Sequence, residues 1–418
     1  TSAGCFVFSG MAPWGLDLKL LNSKPTLLSL ALMAAFCGGA VLDANAARRG
    51  EQKKEEVLYP DATRQEPEAK GSPKVQTKLN KLIEAYNKAL DQEDEAKATA
   101  GYTTARTLAD EIIANGSANA YDKALAAQIA SQAALNTDDE AAAEGYLKQA
   151  VDANALGNNQ HFQLMLQLAQ LQLQKDDYTN GFATLDKYLA ESKSKRPADF
   201  AFKGQYLYQA DRFAECIPPL KQAIETSTNP EDKVDNWTQI LMVCYQEAGQ
   251  LAEAVKVAEQ LAAKSPNDKR AQMNLASIYL NSEQEAKAAA VLEKLRAAGL
   301  MTEEKDYRQL YLTYANMDGK EKDVIAVINE GLQKGVVKPD YQTYLALAQA
   351  YYYSEQIPQA IEAWQKAAPL SKDGETYLNL ARVLWQEDRI PEAKVAARAA
   401  LDKGLKKPDD AKKIIALP

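Results

Sequence analysis

The sequence predicts an all-α protein, a solenoid of stacked helix-turn-helix repeats. A sequence pattern about 34 residues long repeats along its C-terminal half: Ala254 and Ala288 are 34 residues apart, and Ala360 and Ala393 are 33 residues apart. Self-similarity at this period is typical of helical pairs that bury their apolar faces only by stacking on neighbouring pairs. The composition, rich in Ala, Leu, Lys, Glu and Gln, also favours helices.

Residues 1–46 are predicted to be an export signal. Two lysines precede an apolar run over 26–42, and a small-x-small sequence ends at Ala46. These features are typical of a secretory signal peptide that is cleaved after Ala46. An uncleaved membrane anchor stays open as an alternative, although the apolar run is short for a membrane span. Lipid attachment at Cys37 is a third alternative.

Residues 47–73 are predicted to be a disordered charged linker. Charged residues and prolines dominate this stretch, and few apolar side chains remain to be buried. Its one apolar patch, residues 57–60, is expected to dock either on the first helices or on a partner.

The body of the chain is predicted to contain divergent helical repeats over 74–230 and regular repeats over 231–403, followed by a capping helix over 404–418. Apolar residues at steps of three and four predict the first helix: Leu79, Leu82, Ile83, Tyr86 and Leu90. Later pairs are expected over 121–154, 162–191, 198–226, 235–264, 269–298, 304–334, 341–368 and 374–403. Asp268 and Thr302 stand where helix N-caps belong.

Two cysteines, Cys216 and Cys244, follow the predicted signal. In an oxidising compartment they can form a disulfide. They also fit as two small, buried apolar residues. The sequence leaves both alternatives open.

The regular repeats resemble the tetratricopeptide repeat (TPR) family, which implies a right-handed superhelical solenoid. The family pattern has a large and then a small residue in the first helix of each pair, an aromatic residue further on, and a small residue in the second helix. The matching residues are Leu275-Ala276, Leu347-Ala348 and Leu380-Ala381; Tyr245, Tyr279, Tyr314 and Tyr351; and Ala254, Ala288, Ala360 and Ala393. Gly181 and Cys216 take the small position in the divergent part. Asp323 stands where the 304–334 copy is expected to have alanine.

The resemblance implies a concave groove lined by the first helix of each pair. The residues predicted to bind a partner there are Asn274, Asn281, Arg308, Asn316, Gln349, Tyr352, Tyr353, Arg382 and Trp385, with Arg270, Gln309, Leu312, Gln342 and Asn379 on the same projected surface. Amides and guanidinium groups among aromatic side chains suit an extended peptide. Residues 351–353 are consecutive tyrosines, and one face of a helical turn cannot bury all three. At least one is therefore expected to face outward; the alternative is that these tyrosines only fill an amphipathic surface.

The sequence gives little support for catalysis or nucleic-acid binding. The net charge is −8 and the pI about 5.1, without a basic stripe, which argues against a nucleic-acid partner. One histidine cannot build a multi-histidine metal site. The sequence has no HExxH, CxxC or phosphate-binding glycine motif, so neither an enzyme activity nor a metal or other cofactor is predicted.

The sequence therefore predicts an exported, non-enzymatic scaffold or adaptor of the periplasm that binds a protein or peptide, most simply an envelope component. Residues 57–64 are similar to a segment of exported TPR proteins associated with TonB-dependent transport systems, which implies a role in such a system. The alternative is a cell-wall or polysaccharide-secretion factor that binds glycan. Membrane association is expected only through an uncleaved or lipidated N-terminus.

Overall fold

A computed structural model describes residues 56–418, and within them every regular element is helical. The predictions for the signal peptide, Cys37 and residues 47–55 lie outside the described residues. The described chain divides at residues 248 and 249 into two units. None of its helices combines the length and the hydropathy that a membrane span requires.

The first unit contains nine described α-helices, numbered here in chain order. They are α1 (Gln76–Leu90), α2 (Glu95–Ile113), α3 (Ala120–Leu135), α4 (Glu140–Asp152), α5 (Asn158–Gln174), α6 (Tyr178–Ser192), α7 (Pro197–Gln209), α8 (Phe213–Thr226) and α9 (Val234–Glu247). Consecutive helices pack as the pairs α1/α2, α3/α4, α5/α6 and α7/α8, and α9 packs on α8.

The second unit contains ten described α-helices. They are α10 (Leu251–Lys264), α11 (Lys269–Asn281), α12 (Glu285–Ala297), α13 (Glu304–Ala315), α14 (Glu321–Gln333), α15 (Tyr341–Tyr353), α16 (Ile357–Ala367), α17 (Glu375–Gln386), α18 (Ile390–Lys403) and α19 (Asp409–Ile415). The pairs are α11/α12, α13/α14, α15/α16 and α17/α18, while α19 packs on α17 and α18. One hydrophobic cluster runs from α11 to α19. The predicted all-α fold of packed helix pairs is confirmed.

Aspartates and glutamates begin many of these helices. The Asp268 carboxylate accepts hydrogen bonds from the backbone N–H groups of Arg270 and Ala271, which confirms the predicted N-cap of α11. The prediction for α13 is wrong by one residue. Its N-cap is Glu303, which forms a capping box with Asp306, and Thr302 lies before it.

A left-handed residue marks the turn inside each pair from α3/α4 onward. These residues, together with Gly249, have φ between 54° and 74°: Asp138, Asp176, Asp211, Glu283, Gly319, Glu355 and Asp388. Five residues after each of them, the second helix carries a buried residue: Ala143, Gly181, Cys216, Ala254, Ala288, Val324, Ala360 and Ala393. The buried position of the second helix therefore lies at a constant distance from the turn residue, and this register holds in both units.

This register corrects the prediction for Asp323. The buried position in α14 belongs to Val324, which is 2% exposed, whereas Asp323 lies beside it and is not fully buried. Ala288 and Val324 are 36 residues apart, so this pair is longer than the period read from the alanines. A fixed spacing therefore selects the wrong residue.

Apart from Val324, the residues at this position are small, and the two helices of the pair approach closely there, as α5 and α6 show. A Cβ atom added at Gly181 would lie 2.6 Å from Cγ of Leu173 on α5. Close packing of that kind tolerates little additional volume.

Cys216 and Cys244 form a disulfide that joins α8 to α9, with their Cα atoms 6.5 Å apart. Both side chains are fully buried. The structure thus selects the disulfide from the two alternatives that the sequence left open.

The described part of the predicted linker, residues 56–73, lies against the helices of the first unit. Tyr59 is only 3% exposed, and Arg64 donates hydrogen bonds to residues about 90 positions further along the chain. The prediction of disorder is therefore corrected for these residues. Polar hydrogen bonds, in addition to apolar burial, hold the segment in place.

The left-handed turn predicts different effects for two glycine substitutions. Gly319→Ala is expected to lower the free energy of unfolding by about 1 kcal/mol, because a residue with a Cβ atom is strained at a φ of +74°. A Cβ atom added there would have no neighbouring atom within 4 Å, so the effect would come from the backbone conformation and not from a clash. Gly145→Ala, inside α4 with equally open surroundings, is expected to be neutral or to stabilise by up to about 1 kcal/mol. Denaturant unfolding followed by circular dichroism measures both. Equal effects from the two changes would contradict the turn assignment.

Loss of the disulfide is expected to destabilise the first unit by roughly 3 kcal/mol, because it closes a chain segment with a sequence separation of 28. The double variant Cys216→Ala/Cys244→Ala and the reduced wild type should unfold at similarly lowered denaturant concentrations. Thiol titration of the unreduced, unfolded full chain checks the bond itself: two reactive thiols, those of Cys5 and Cys37, are expected, and four would rule the bond out.

Candidate functional site

The second unit contains a cavity of about 180 Å³ between α15, α16 and α17. Its lining residues lie on one stripe of α15, one position of α16 and one stripe of α17, because helical side chains three and four positions apart share a face. They are Gln349, Tyr352 and Tyr353; Trp364; and Asn379, Arg382, Val383 and Gln386.

Aromatic rings form one wall of this cavity. The Tyr352 ring lies 5.5 Å from the Trp364 ring and 5.5 Å from the Tyr353 ring, both at inclined angles. The Tyr352 hydroxyl donates a hydrogen bond of 3.3 Å to Oε1 of Gln386, which joins α15 to α17. Tyr353 is 53% exposed. The expectation that at least one of the three consecutive tyrosines faces outward is therefore confirmed.

Two side chains that line the cavity contain a buried polar atom without a hydrogen-bond partner in the described chain. These atoms are Oε1 of Gln349 and Nε1 of Trp364, and Trp364 is only 5% exposed. An unpaired buried polar group is costly, and most such groups in folded proteins are paired. A ligand that offers both a donor and an acceptor would therefore gain affinity here, provided that the wall lets it reach these atoms.

The cationic group that lines the cavity, Arg382, is already neutralised. It donates one hydrogen bond to Oδ1 of Asn379 (3.1 Å) and another to Oδ2 of Asp410 on α19 (2.7 Å). The Arg382 guanidinium holds the pKa of the Asp410 carboxyl below its usual value. The described lining therefore offers an incoming carboxylate no unpaired cation, which favours a neutral polar group or a peptide backbone.

The structure brings together four of the nine predicted partner-binding residues: Gln349, Tyr352, Tyr353 and Arg382. The other five do not line the cavity. Asn274 and Asn281 are half-buried on α11, Arg308 lies on α13, Asn316 is exposed just after α13 ends, and Trp385 is 46% exposed on α17. Arg308 is occupied by Glu304, Gln342 and Asp340.

Two residues on the projected groove surface are in fact buried in the packing of the pairs. Gln309 donates a hydrogen bond of 3.1 Å to Oγ of Ser277, and Leu312 is 8% exposed in the hydrophobic cluster. Leu312 stands seven residues before the turn residue Gly319, the same offset as Ala276, Ala348 and Ala381 from their turns. Because the repeat that contains α13 is longer, the projection from sequence spacing placed core residues of α13 on the groove surface.

Sequence reasoning missed Trp364, Val383 and Gln386, and placed Asn379 only on the wider surface. Trp364 was missed because it lies on the second helix of its pair, whereas the resemblance points to the first helix. Val383 is an apolar residue that also packs in the core. Gln386 was detectable, because it has the same offset from its turn residue as Tyr353.

A larger cavity, about 470 Å³, lies on the other side of α15, between α14 and α16. Tyr351 lines it and accepts a hydrogen bond from Nδ2 of Asn329 (3.2 Å). Lys366 lies 5.7 Å from the centre of the Tyr344 ring. None of its described lining residues contains an unpaired buried polar atom. The smaller cavity is therefore the better candidate site.

The described residues provide no cluster suited to a metal. Between residues 56 and 418 no group of three or more His, Cys, Asp or Glu side chains is placed to hold an ion. The single histidine, His161, is 2% exposed on α5. Burial, followed by the nearby charge of Arg64, lowers the His161 pKa to about 4, so the imidazole is neutral at pH 7.

Protonation of His161 is expected to weaken the fold in acid. Its pKa is near 6.5 in the unfolded chain and about 4 in the folded one, so the folded state binds this proton less readily. Stability is therefore unaffected by this group above pH 6.5 and falls as the pH drops from 6.5 towards 4, by up to roughly 3 kcal/mol. Because the chain has one histidine, a single imidazole NMR signal reports the titration. A midpoint near 6.5 in the folded protein would contradict the burial argument.

Comparisons with known proteins agree with the repeat assignment over part of the chain. The tetratricopeptide repeat family matches residues 245–311, which lie before the candidate site. No curated protein matches the chain.

Three solved structures are similar. A tetratricopeptide repeat protein from Parabacteroides merdae is 14% identical, with a TM-score of 0.35, and the match covers 60% of this chain and 95% of that one. PilF from Pseudomonas aeruginosa is 15% identical, with a TM-score of 0.34 and coverage of 53% and 96%. A thermophilic TPR protein from Thermus thermophilus is 18% identical, with a TM-score of 0.21 and coverage of 53% and 100%. At these values we draw no functional argument from them. Residues 245–311 thus match the tetratricopeptide repeat, as the sequence pattern implied.

Proposed function

We propose that this protein is a non-enzymatic scaffold that binds a segment of a protein partner at the cavity between α15 and α17. Tetratricopeptide repeats generally mediate protein–protein interactions. The observation that carries the proposal is the combination at one site of an aromatic wall with unpaired buried polar atoms on Gln349 and Trp364. A peptide offers both backbone donors and acceptors and side chains that stack on aromatic rings.

We further propose that the protein works in the periplasm. The predicted export signal supports this location, and the Cys216–Cys244 disulfide suits an oxidising compartment. The partner is then an envelope component. The similarity of residues 57–64 to exported TPR proteins of TonB-dependent transport systems favours a component of such a system.

A glycan is the competing ligand, as in a cell-wall or polysaccharide-secretion factor. Sugar hydroxyls also donate and accept hydrogen bonds, and sugar rings also stack on aromatic side chains. The neutral character of the cavity, with Arg382 paired to Asp410, suits both ligands. The test therefore has to separate them.

Photo-crosslinking in cells tests the site. A photoreactive residue replacing Tyr353 should give a discrete adduct, whereas one replacing Val395, which is 64% exposed on α18, should not. Tyr352→Ala in the same chain should weaken the adduct roughly tenfold, as expected for an interface anchor. Tyr351→Ala, the neighbouring tyrosine on the other side of α15, is the matched control and should leave it unchanged.

The nature of the adduct decides between the two ligands. Protease digestion should reduce a protein adduct to a short peptide on the photoreactive residue. An adduct that resists protease and yields to glycosidase would favour the glycan. Equal adducts from positions 353 and 395, or an adduct indifferent to Tyr352→Ala, would remove the cavity from the proposal.

A further inference from the structure

Residues 56–66, called here the strap, lie across helices α4 to α7 of the first unit, and their backbone forms hydrogen bonds with side-chain and main-chain groups of these elements. The amide of Asn159 makes two such bonds: Nδ2 donates to the carbonyl of Glu56 (2.7 Å), and Oδ1 accepts from the N–H of Leu58 (3.0 Å). The Thr63 N–H donates to the carbonyl of Glu191 at the end of α6 (2.9 Å). An amide that pairs with both groups of a backbone is a common way to hold a bound peptide.

Tyr59 is the aromatic anchor of the strap, and its hydroxyl oxygen lies 3.3 Å from the Tyr188 hydroxyl oxygen. Its ring is 3% exposed and lies edge-on, 5.1 Å from the Phe162 ring and 6.1 Å from the Tyr188 ring. The Arg196 guanidinium lies 6.0 Å from the Tyr59 ring centre. The Tyr188 hydroxyl donates to Oδ2 of Asp199 (2.6 Å), so the floor of this pocket is fixed by a buried hydrogen bond.

Arg64 is the polar anchor. Its guanidinium donates to Oδ1 of Asn154 (2.6 Å), Oδ1 of Asn158 (2.6 Å) and the carbonyls of Asn154 (3.0 Å) and Leu156 (2.9 Å). The acceptors on Asn154 and Leu156 lie in the loop just after the C-terminal end of α4, where the helix dipole favours a cation, and Asn158 begins α5. Two positions on, Oε1 of Glu66 accepts from the N–H of Asn158, the first residue of α5, where the dipole favours an anion.

The strap thus has the features of a bound peptide and few of an integral part of the fold. It contains no helix, its two anchor side chains enter sites formed by other elements, and the bonds of Arg64 reach residues 90 or more positions away. Departure of the strap would break no helical hydrogen bond. It would uncover Phe162 and Tyr188, both of which are fully buried in its presence.

We propose that α4 to α7 form a second peptide-binding site, distinct from the cavity in the second unit. Its ligand class is a non-helical segment with a tyrosine and, five residues later, an arginine. The strap is the resident ligand in cis. Tethering gives it a high effective concentration, so any competing segment binds only when the strap leaves. The proposal does not depend on the function proposed above.

Hydrogen exchange on the unaltered protein tests whether the strap leaves as a unit. The amides of Leu58 and Thr63 should exchange at least roughly tenfold faster than core amides of α5 such as that of Met165, and with a weaker dependence on denaturant. If the strap amides and the core amides of α5 exchanged only through the same global unfolding, the strap would be an integral part of the fold, and the proposal would be overturned.

Binding in trans tests the specificity. The full chain carrying Tyr59→Ala/Arg64→Ala should bind a labelled peptide of residues 56–66, and the wild type should bind it at least roughly tenfold more weakly because its site is occupied. The same peptide with Arg64→Ala should lose at least roughly tenfold in affinity for the double variant. Gln65→Ala, a change at an exposed strap residue, is the matched control and should behave as the wild type.

Circular dichroism establishes whether the double variant folds. A folded double variant that ignores the peptide, or a wild type that binds it equally well, would refute a self-occupied site. A double variant that cannot fold would also refute the proposal, because the strap would then be required for the fold itself.

Discussion

The close approach of two helices at one small residue is the constraint on which the rest of this structure depends. In every pair from α3/α4 onward a buried residue lies five positions after a left-handed turn residue, and it is small in each of these pairs except α13/α14, where it is Val324. The turn reverses the chain, and the small side chain lets the second helix settle onto the first, as at Gly181 against Leu173. Because each pair leaves apolar surface on its outer side, the next pair has to cover it. A continuous hydrophobic cluster through the second unit is the result.

The packing of neighbouring pairs also leaves some side chains of α15 and α17 available for binding. In α15, Tyr352 and Gln349, three and six positions before the turn residue Glu355, lie on the stripe that lines the cavity. Asn379 and Arg382 extend the same surface on the next first helix. The site then gains its character from Trp364, which belongs to a second helix and is almost fully buried. A repeat that mainly serves packing thus produces a lined cavity where two pairs meet.

Elements outside the repeat pattern add a different kind of stability to the first unit. The disulfide joins α8 to α9 covalently, and the strap joins the ends of α4, α5 and α6 by hydrogen bonds and one buried aromatic ring. Neither device has a described counterpart in the second unit, where the C-terminal helix α19 packs on the last pair with Ala411 and Ile414 buried. Both units therefore share the packing of consecutive helices in pairs. They differ in the interactions that join residues distant in sequence.

The sequence by itself determined the helical class, the repeat and the buried alanines, because these depend on periodic patterns within one or two helices. Ala254, Ala288, Ala360 and Ala393 were all found from spacing alone. Spacing failed at Asp323 and Leu312, where a longer repeat shifts the register and only the turn position reveals it. Just four of the predicted binding residues meet at the cavity, since cavity formation depends on which residues of α15, α16 and α17 face each other. The strap and the disulfide were likewise decided by tertiary structure, because their partners lie on different elements and no local pattern encodes that proximity.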